Sequence, residues 1–191
     1  MKVNGYRIEP GADLRGADLN FGSLQNANLQ GADLRGANLR SANLMGADLS
    51  RSTMQYANLF DTFMKDANFE NADLTGCHSF GGVSLGAVFD GANLRSANLT
   101  GADFSTVAIN SLQGWYAKTP FKASFRRADL TNATLCYGNL SYADLSNAIF
   151  ERADLSFANL TGAHIEGTIF DDANLHNTNM SDTKKSIKWF D

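Results

Sequence analysis

Residues 31–50 read GADLRGANLRSANLMGADLS, four near-copies of one five-residue unit, and the same unit recurs along most of the 191-residue chain. A small residue, usually Ala, precedes Asp or Asn and then Leu, and two further residues complete the unit. A period of five matches neither the period of about 3.6 residues of a helix nor the two-residue period of a long strand. The repeat therefore predicts a different regular structure.

The Leu position, which we call the centre, is apolar in a long series of consecutive units. In an extended segment the centre and the small residue two positions earlier point to one side, and the Asp or Asn between them points outward. Each unit is therefore predicted to be a very short strand followed by a tight turn of Gly and polar residues. The first thirteen centres are Leu14, Leu19, Leu24, Leu29, Leu34, Leu39, Leu44, Leu49, Met54, Leu59, Met64, Phe69 and Leu74.

Short strands that alternate with turns wind into coils, and coils stacked about 4.8 Å apart can pair their strands and bury a column of centres. The repeat resembles the pentapeptide-repeat family, whose pattern matches almost the whole chain. The resemblance implies an all-β fold, a β-solenoid that is a right-handed quadrilateral β-helix of stacked four-pentapeptide coils. Residues 31–50 would then form one complete coil.

The repeats predict a single domain with one central loop insertion. Residues 1–10 are predicted to form an N-terminal cap, 11–109 a first repeat block, 123–180 a second repeat block, and 181–191 a C-terminal cap or a dimer contact. Between the blocks, residues 110–122 (NSLQGWYAKTPFK) interrupt the pattern.

The length of the interruption can be counted from the centres on either side. The first clean centre after Ile109 is Phe125, sixteen residues later. If eleven residues are an insertion, the five-residue spacing is restored and Phe125 falls on the next face of the coil. An insertion of one or six residues also restores the spacing if degenerate repeats account for the other residues. We predict an extruded loop.

A smaller irregularity lies before this interruption. Strict spacing puts Ser79 and Ser84 at centres, whereas a shift by one residue buries Phe80 and Leu85 instead. Two buried hydroxyls and two exposed large apolar side chains cost more than a local bulge. We therefore predict the shift.

Composition narrows the class of protein. The 43% of hydrophobic residues occur singly, without the run of about 20 that a membrane span needs. The N-terminal stretch MKVNGYRIEPG has no apolar core of a secretion signal, so a soluble, cytoplasmic protein without membrane contact is expected. Cys77 and Cys136 are predicted to be reduced thiols.

No motif in the chain predicts catalysis. His78, His164 and His176 fall at outward or turn positions of different coils, and none has a second ligand at metal-binding spacing. Neither a phosphate-binding loop nor a nucleophile elbow is present, and the carboxylates, Arg, Lys and His do not cluster as a β-helical lyase requires. The chain is predicted not to be an enzyme and to have no catalytic, cofactor or metal site.

The outward side chains of the repeats are candidate recognition elements. The outward acidic residues are predicted to hydrogen-bond local backbone, and a net charge of −4 with Arg15, Arg35 and Arg95 in one column argues against a uniformly acidic rod. Tyr137 and Phe157 are predicted to stack in one column, with Tyr56, Phe60 and Tyr142 on other edges. The nine outward acidic residues are Asp13, Asp18, Asp33, Asp48, Asp73, Asp103, Asp129, Asp144 and Asp154.

The interruption contains aromatic and basic residues that the repeats lack. Aromatic side chains dominate binding energies, and lysines steer association with an acidic partner. The sequence therefore favours a non-catalytic protein–protein interaction or scaffold protein, a rigid β-helical rod that docks an unknown protein through its loop and faces. The candidate partner-binding residues are Trp115, Tyr116, Lys118, Phe121 and Lys122.

The family resemblance implies an alternative function. Quinolone-resistance members resemble a DNA duplex in shape and charge and bind the type II topoisomerases gyrase and topoisomerase IV. By this alternative the chain would be a DNA mimic that modulates a topoisomerase or protects it from quinolones, without binding nucleic acid directly. The resemblance also implies that the C-terminal end can be a homodimer contact.

Overall fold

The computed structural model describes residues 1–79, 81–82, 84, 86–104 and 123–184. Outward residues of the repeats form parallel bridges with residues twenty positions later, so four units make one coil. The predicted β-solenoid is confirmed. We call its sides faces A, B, C and D, and each corner takes the letter of the face that precedes it in the sequence. In the first coil, the outward residues of these four faces are Asp13, Asp18, Ser23 and Asn28.

Among the described residues, the two strands longer than a single bridge lie at the N-terminus. Strand β1 (Lys2–Val3) and strand β2 (Tyr6–Arg7) pair in an antiparallel hairpin. Val3 and Ile8 are buried in the core beside the first coil. The Asn4 side chain donates hydrogen bonds to two backbone carbonyls of that coil, so the hairpin covers its outer edge.

The interior follows the predicted pattern. Centres and small residues are buried along the stack, and most described centres donate their backbone N–H groups to the following coil, as Leu34 does to Thr53 at 2.7 Å. The centres Phe69, Phe89 and Phe125 stack with ring centroids 4.8 Å apart, which is the spacing expected between paired strands.

The corners explain the polar half of the repeat. The second corner residue has a positive φ, close to 55° at Asn26 and 63° at Gly36, a conformation that favours Gly and Asn. The outward Asp or Asn accepts a hydrogen bond from the backbone N–H two residues later, as Asn28 does from Gln30 at 3.1 Å. The predicted backbone role of the outward acidic residues is confirmed where these bonds occur.

The predicted shift near residue 80 is wrong. Ser79 and Ser84 are buried, and their N–H groups donate to the next coil at 2.8 Å in the register of ordinary centres. Their hydroxyls have no hydrogen-bond partner among the described residues. The backbone hydrogen bonds of these two residues to the next coil therefore outweigh the cost of two unsatisfied hydroxyls. Phe80 and Leu85, the other half of the prediction, lie outside the described residues.

The predicted register of the second block is also wrong. Val88 pairs with Ser124, an offset of 36 residues instead of 20, so the chain between Phe104 and Ala123 contains sixteen extra residues rather than eleven. Phe125 consequently stacks on Phe89 of face D, the position predicted for Ile109. Ile109 and the predicted loop, residues 110–122, lie outside the described residues. No helix in the described part is long and apolar enough to cross a membrane.

Candidate interaction face

Exposed aromatic side chains of the described repeats gather on one side of the rod. Five of them lie on face C or on corners B and C, which border it, whereas Tyr56 at corner A is the one placed elsewhere. We call face C with these two corners the aromatic face. Its exposed rings are Phe21, Phe63, Tyr137, Tyr142 and Phe157, and their exposed fractions run from 45% to 73%.

Corner B places aromatic residues directly above one another. Tyr137 and Phe157 stack with ring centroids 5.0 Å apart and planes 7° apart, and His176 meets Phe157 edge-on at 5.5 Å. The predicted Tyr137–Phe157 stack is confirmed. Because each ring supports the next, the rings are ordered before any partner binds.

Other aromatic residues were predicted on unrelated edges, and the structure corrects this in part. Phe60 lies on corner B, the same corner as Tyr137, with the Arg40 guanidinium 4.8 Å from its ring centroid. Tyr142 lies on corner C, across face C from Tyr137. Phe21 and Phe63 were not predicted as candidates, because they share a side with Tyr137 only through the 36-residue offset between the two blocks.

Apart from Asp182 in the last coil, the polar part of the aromatic face carries no Asp, Glu, Lys or Arg in the described residues of the second block. Asn139 and Asn159 lie on face C between the aromatic corners, and the Asn159 amide donates to Asn139 at 3.2 Å. Thr161 donates its hydroxyl to Asn159 at 2.6 Å. Amide and hydroxyl groups cost less to desolvate than charges, so this part of the face can be covered by a partner at a modest cost.

Face A, on the opposite side, is charged but internally paired. Arg15 and Arg35 form ion pairs with Asp13 and Asp33 at 2.6 Å, and Arg95 pairs with Asp129 at 3.1 Å. The hydrogen bond from Arg15 lowers the pKa of Asp13 to about 2. The predicted basic column is therefore a column of ion pairs, with neither an unpaired acidic nor an unpaired basic stripe at these residues.

The described residues on either side of the predicted loop belong to neighbouring faces of the rod. Phe104, on face C, is the last described residue before the extra segment, and Ala123 is the first residue after it, at the start of face D. Corner C is therefore the place where the segment joins the solenoid. The candidate residues Trp115, Tyr116, Lys118, Phe121 and Lys122 all lie outside the described residues, so their contacts stay a prediction.

The structure gives His164 two polar neighbours. His164 lies on face D, 2.9 Å from the Ser146 hydroxyl and 3.6 Å from Asp144, neighbours that linear spacing did not suggest. Ser146 bonds directly to Asp144, so the order of these groups is not that of a serine hydrolase triad. No group of three His, Cys, Asp or Glu could hold a metal ion among the described residues.

Both thiols are free, as predicted. Cys77 is fully buried, and this burial raises the pKa of its thiol to about 12. Cys136 is partly buried at corner B, within 3.4 Å of the Thr100 hydroxyl. A thiol with so high a pKa is unreactive at neutral pH, so Cys77 fills the core.

A model of pentapeptide repeats matches the chain with eight copies, over residues 12–51, 52–85, 85–107, 122–152 and 148–184. No curated protein matches its sequence. Among solved structures, QnrB1, a plasmid-mediated fluoroquinolone resistance protein, superposes with a TM-score of 0.61 at 19% identity over 82% of this chain and 73% of that chain.

Two cyanobacterial structures are also similar. HetL from Nostoc sp. strain PCC 7120, involved in heterocyst differentiation regulation, is 23% identical over 94% of this chain and 93% of its own, with a TM-score of 0.34. Rfr23 from Cyanothece 51142 is 21% identical over 83% of this chain and 91% of its own, with a TM-score of 0.36. At these identities the likeness concerns the fold alone.

Proposed function

The chain belongs to the pentapeptide-repeat family, and on this premise we propose that it is a non-catalytic interaction protein that docks a protein partner through its aromatic face. Proteins of this family fold as right-handed quadrilateral β-helices, and the stacked coils give a rigid platform. The observation that carries the proposal is the collection of five exposed rings on one side of that platform.

The size of the aromatic face suits a protein partner. Phe21 and Phe157 are six coils apart, which corresponds to about 29 Å at the spacing of paired strands. A typical protein interface buries about 800 Å² on each partner, so rings distributed over this length can lie within one interface. Tyr side chains are frequent interface anchors, because they combine a large apolar area with few rotatable bonds.

The contrast between face A and the aromatic face also supports docking through the aromatic face. Face A satisfies much of its charge through its own ion pairs, whereas the aromatic face exposes rings to solvent. Large apolar patches on a soluble protein often mark interaction sites. The segment that joins at corner C would add Trp115, Tyr116 and Phe121 as further anchors, with Lys118 and Lys122 as steering charges.

The alternative is a DNA mimic that binds a type II topoisomerase. It rests on the family resemblance and on a net charge of −4. Pairing of Asp13, Asp33 and Asp129 with arginines counts against it, because paired carboxylates do not present the evenly spaced negative charge of a nucleic-acid backbone.

The experiment compares ring variants in a pull-down from the cell that produces the protein, with gyrase and topoisomerase IV probed among the bound proteins. The test variant carries Phe21→Asn and Tyr137→Asn. Its matched control carries Tyr56→Asn, which replaces an equally exposed ring at the same corner position, with φ close to 58°, on corner A. Asn tolerates this conformation, so both proteins should stay folded.

We expect the test variant to lose at least about tenfold in affinity for its partner, since hot-spot rings contribute about 2 kcal/mol or more. The control should bind normally. Equal binding by both variants would refute docking through the aromatic face. Capture of a topoisomerase that depends on outward carboxylates instead of rings would establish the alternative.

A further inference from the structure

The side-chain amide oxygens on face C are saturated in the last three described coils. An amide oxygen has two lone pairs, so it can accept two hydrogen bonds. Asn139 Oδ1 accepts one from a backbone N–H group and one from the Asn159 amide. Asn159 Oδ1 accepts from the backbone N–H and the hydroxyl of Thr161. Asn179 Oδ1 accepts from the same two groups of Ser181. These three oxygens therefore have no lone pair left for a ligand.

The amide nitrogens of the same residues still have hydrogens to donate. Each amide nitrogen carries two N–H bonds. Asn159 donates one of them to Asn139, whereas the amide nitrogens of Asn139 and Asn179 donate to no acceptor in the part of the chain that the structure describes. We call the side chains of Asn139, Asn159 and Asn179 the amide strip. The strip presents hydrogen-bond donors at intervals of about 4.8 Å and accepts nothing further at its oxygens.

Aromatic rings held in place by their neighbours flank the amide strip. On corner B, Tyr137 and Phe157 support each other through their stack. On corner C, the Tyr142 ring lies over Gly162 of the following coil, because a Cβ atom added at Gly162 would be 2.6 Å from two atoms of that ring. The missing side chain of this glycine leaves the space that Tyr142 occupies. The amide strip therefore lies between two aromatic walls.

We propose that the amide strip binds a proline-rich segment of the partner protein. Proline has a backbone carbonyl but no N–H group, so a run of prolines carries acceptors for the strip and brings no backbone donor that the saturated oxygens would leave unpaired. Its rings supply apolar surface that packs against aromatic side chains. The inference rests on the proposed function of the aromatic face and names the chemistry of its partner.

The dimensions of a proline run match the spacing of the coils. A polyproline II helix has three residues per turn and rises about 3.1 Å per residue, so equivalent carbonyls recur about every 9.3 Å. Asn139 and Asn179 are two coils apart, which corresponds to about 9.6 Å. A proline run that lies along the rod can therefore bring one carbonyl to each of these two amides. Such a run is already extended before it binds, so it loses little entropy on docking.

Other extended segments fit the strip less well. The backbone N–H groups of an ordinary segment need acceptors when they are buried, and the oxygens of the strip have none to offer. A charged segment would lose hydration without gaining an opposite charge, because Asp182 is the one Asp, Glu, Lys or Arg in the described second block of the aromatic face. Hydrogen bonding and charge therefore favour the same partner chemistry.

The test measures the binding of a fluorescent hexaproline peptide to the full chain by anisotropy. A Gly-Ser peptide of equal length, which carries backbone N–H groups, is the control probe. We expect hexaproline to bind at least about tenfold more tightly. Equal affinities, or no binding of either peptide, would overturn the inference. A partner that the aromatic rings capture in the pull-down, but that hexaproline does not displace, would overturn it and leave the proposed function intact.

Asn139→Asp tests the donors of the strip. The substitution keeps an Oδ1 acceptor for the backbone but replaces the N–H groups with a second oxygen, so hexaproline should bind at least about fivefold more weakly. Asn93→Asp is the matched control, because Asn93 also accepts a backbone N–H at an outward position, on face A. Equal affinities of these two variants for hexaproline would contradict the role of the amides.

Gly162→Asn tests the wall on corner C without removing a ring. Asn tolerates the φ of 66° at this position, but its Cβ displaces Tyr142. The matched control is Gly76→Asn on corner A, where φ is 63° and an added Cβ would be 2.6 Å from the Tyr56 ring. We expect hexaproline binding to weaken about threefold or more in Gly162→Asn and to stay unchanged in the control. An equal loss in both variants would contradict binding beside Tyr142.

Discussion

Face A and face C lie on opposite sides of one solenoid, and the difference between them is almost entirely external. Beneath both, apolar centres such as Leu94 and Leu140 are buried and hydrogen-bonded to the neighbouring coil. On the outside, face A carries Asp–Arg pairs that satisfy one another, whereas face C is bordered by exposed rings.

The comparison shows which positions of the repeat are constrained by the fold and which can vary. The centre and the small residue are constrained by packing, and the second corner residue by its positive φ. The outward residue is constrained only weakly, because Asp, Asn, Thr and Ile all occupy that position on face A. A surface can therefore change its chemistry from one face to another while the fold stays the same.

The largest effect should come from the interior shared by the two faces. Leu94→Asp and Leu140→Asp each place an unpaired charge in the core and should destabilise the protein by about 3 kcal/mol or more, enough to unfold it in dilute urea. The outward neighbours, Asn93→Asp and Asn139→Asp, should change the unfolding midpoint little. If inward and outward variants have equal stability, the assignment of inside and outside fails on both faces.

Beneath face C, a smaller effect is expected, and one substitution there should increase the stability of the protein. Ser84 buries a hydroxyl that has no partner in the described part of the chain, so Ser84→Ala should raise the free energy of unfolding by about 1 kcal/mol. Thr62, also beneath face C, donates its hydroxyl to the Leu39 carbonyl at 3.0 Å, and Thr62→Val should lower stability by a similar amount. Urea unfolding of the two variants measures the contrast, and a loss of stability in Ser84→Ala would show that its hydroxyl is satisfied.

The smallest effect should appear on face A as a dependence on pH. Hydrogen bonds from Arg15 and Arg35 lower the folded-state pKa values of Asp13 and Asp33. Their stabilising contribution is therefore present above the unfolded pKa of about 4 and is lost as pH falls toward about 2. Because the pairs are exposed, the change should be slight.

The measurement is the melting temperature at about pH 5 and about pH 2. Arg15→Gln with Arg35→Gln should lose less stability over this interval than the unmodified protein. The Asn139–Asn159 ladder of face C contains no titratable group, so Asn159→Ser should leave the pH dependence unchanged. A double variant with the pH profile of the unmodified protein would show that the ion pairs do not contribute.

Much of the fold could be predicted because its determinants are local. The buried centres, the turn composition and the backbone role of outward Asp and Asn follow from five consecutive residues. The register errors arose where a local pattern was ambiguous. Ser79 and Ser84 stay at centres because a shift would disrupt hydrogen bonds to Asn98 and Asp103 in the following coil.

The candidate interaction face was only partly predictable. The Tyr137–Phe157 stack follows from a separation of twenty residues, which is one coil. Phe21 lies on corner B together with Tyr137 and Phe157 only because sixteen extra residues precede the second block. An insertion of eleven would have placed Tyr142 beside face D and removed the Asn139–Asn159 ladder from face C.

The sequence by itself determined that this chain is a β-solenoid with a Leu-filled interior and turn-forming corners, because a five-residue period constrains the backbone within each unit. The tertiary structure alone decided which side chains share a surface. Phe21, Phe63 and Tyr137 become part of one face through the parallel bridges between coils, and those bridges pair residues twenty or thirty-six positions apart. This offset decides which residues are neighbours in adjacent coils. Where the repeats are interrupted, the local pattern does not reveal the offset.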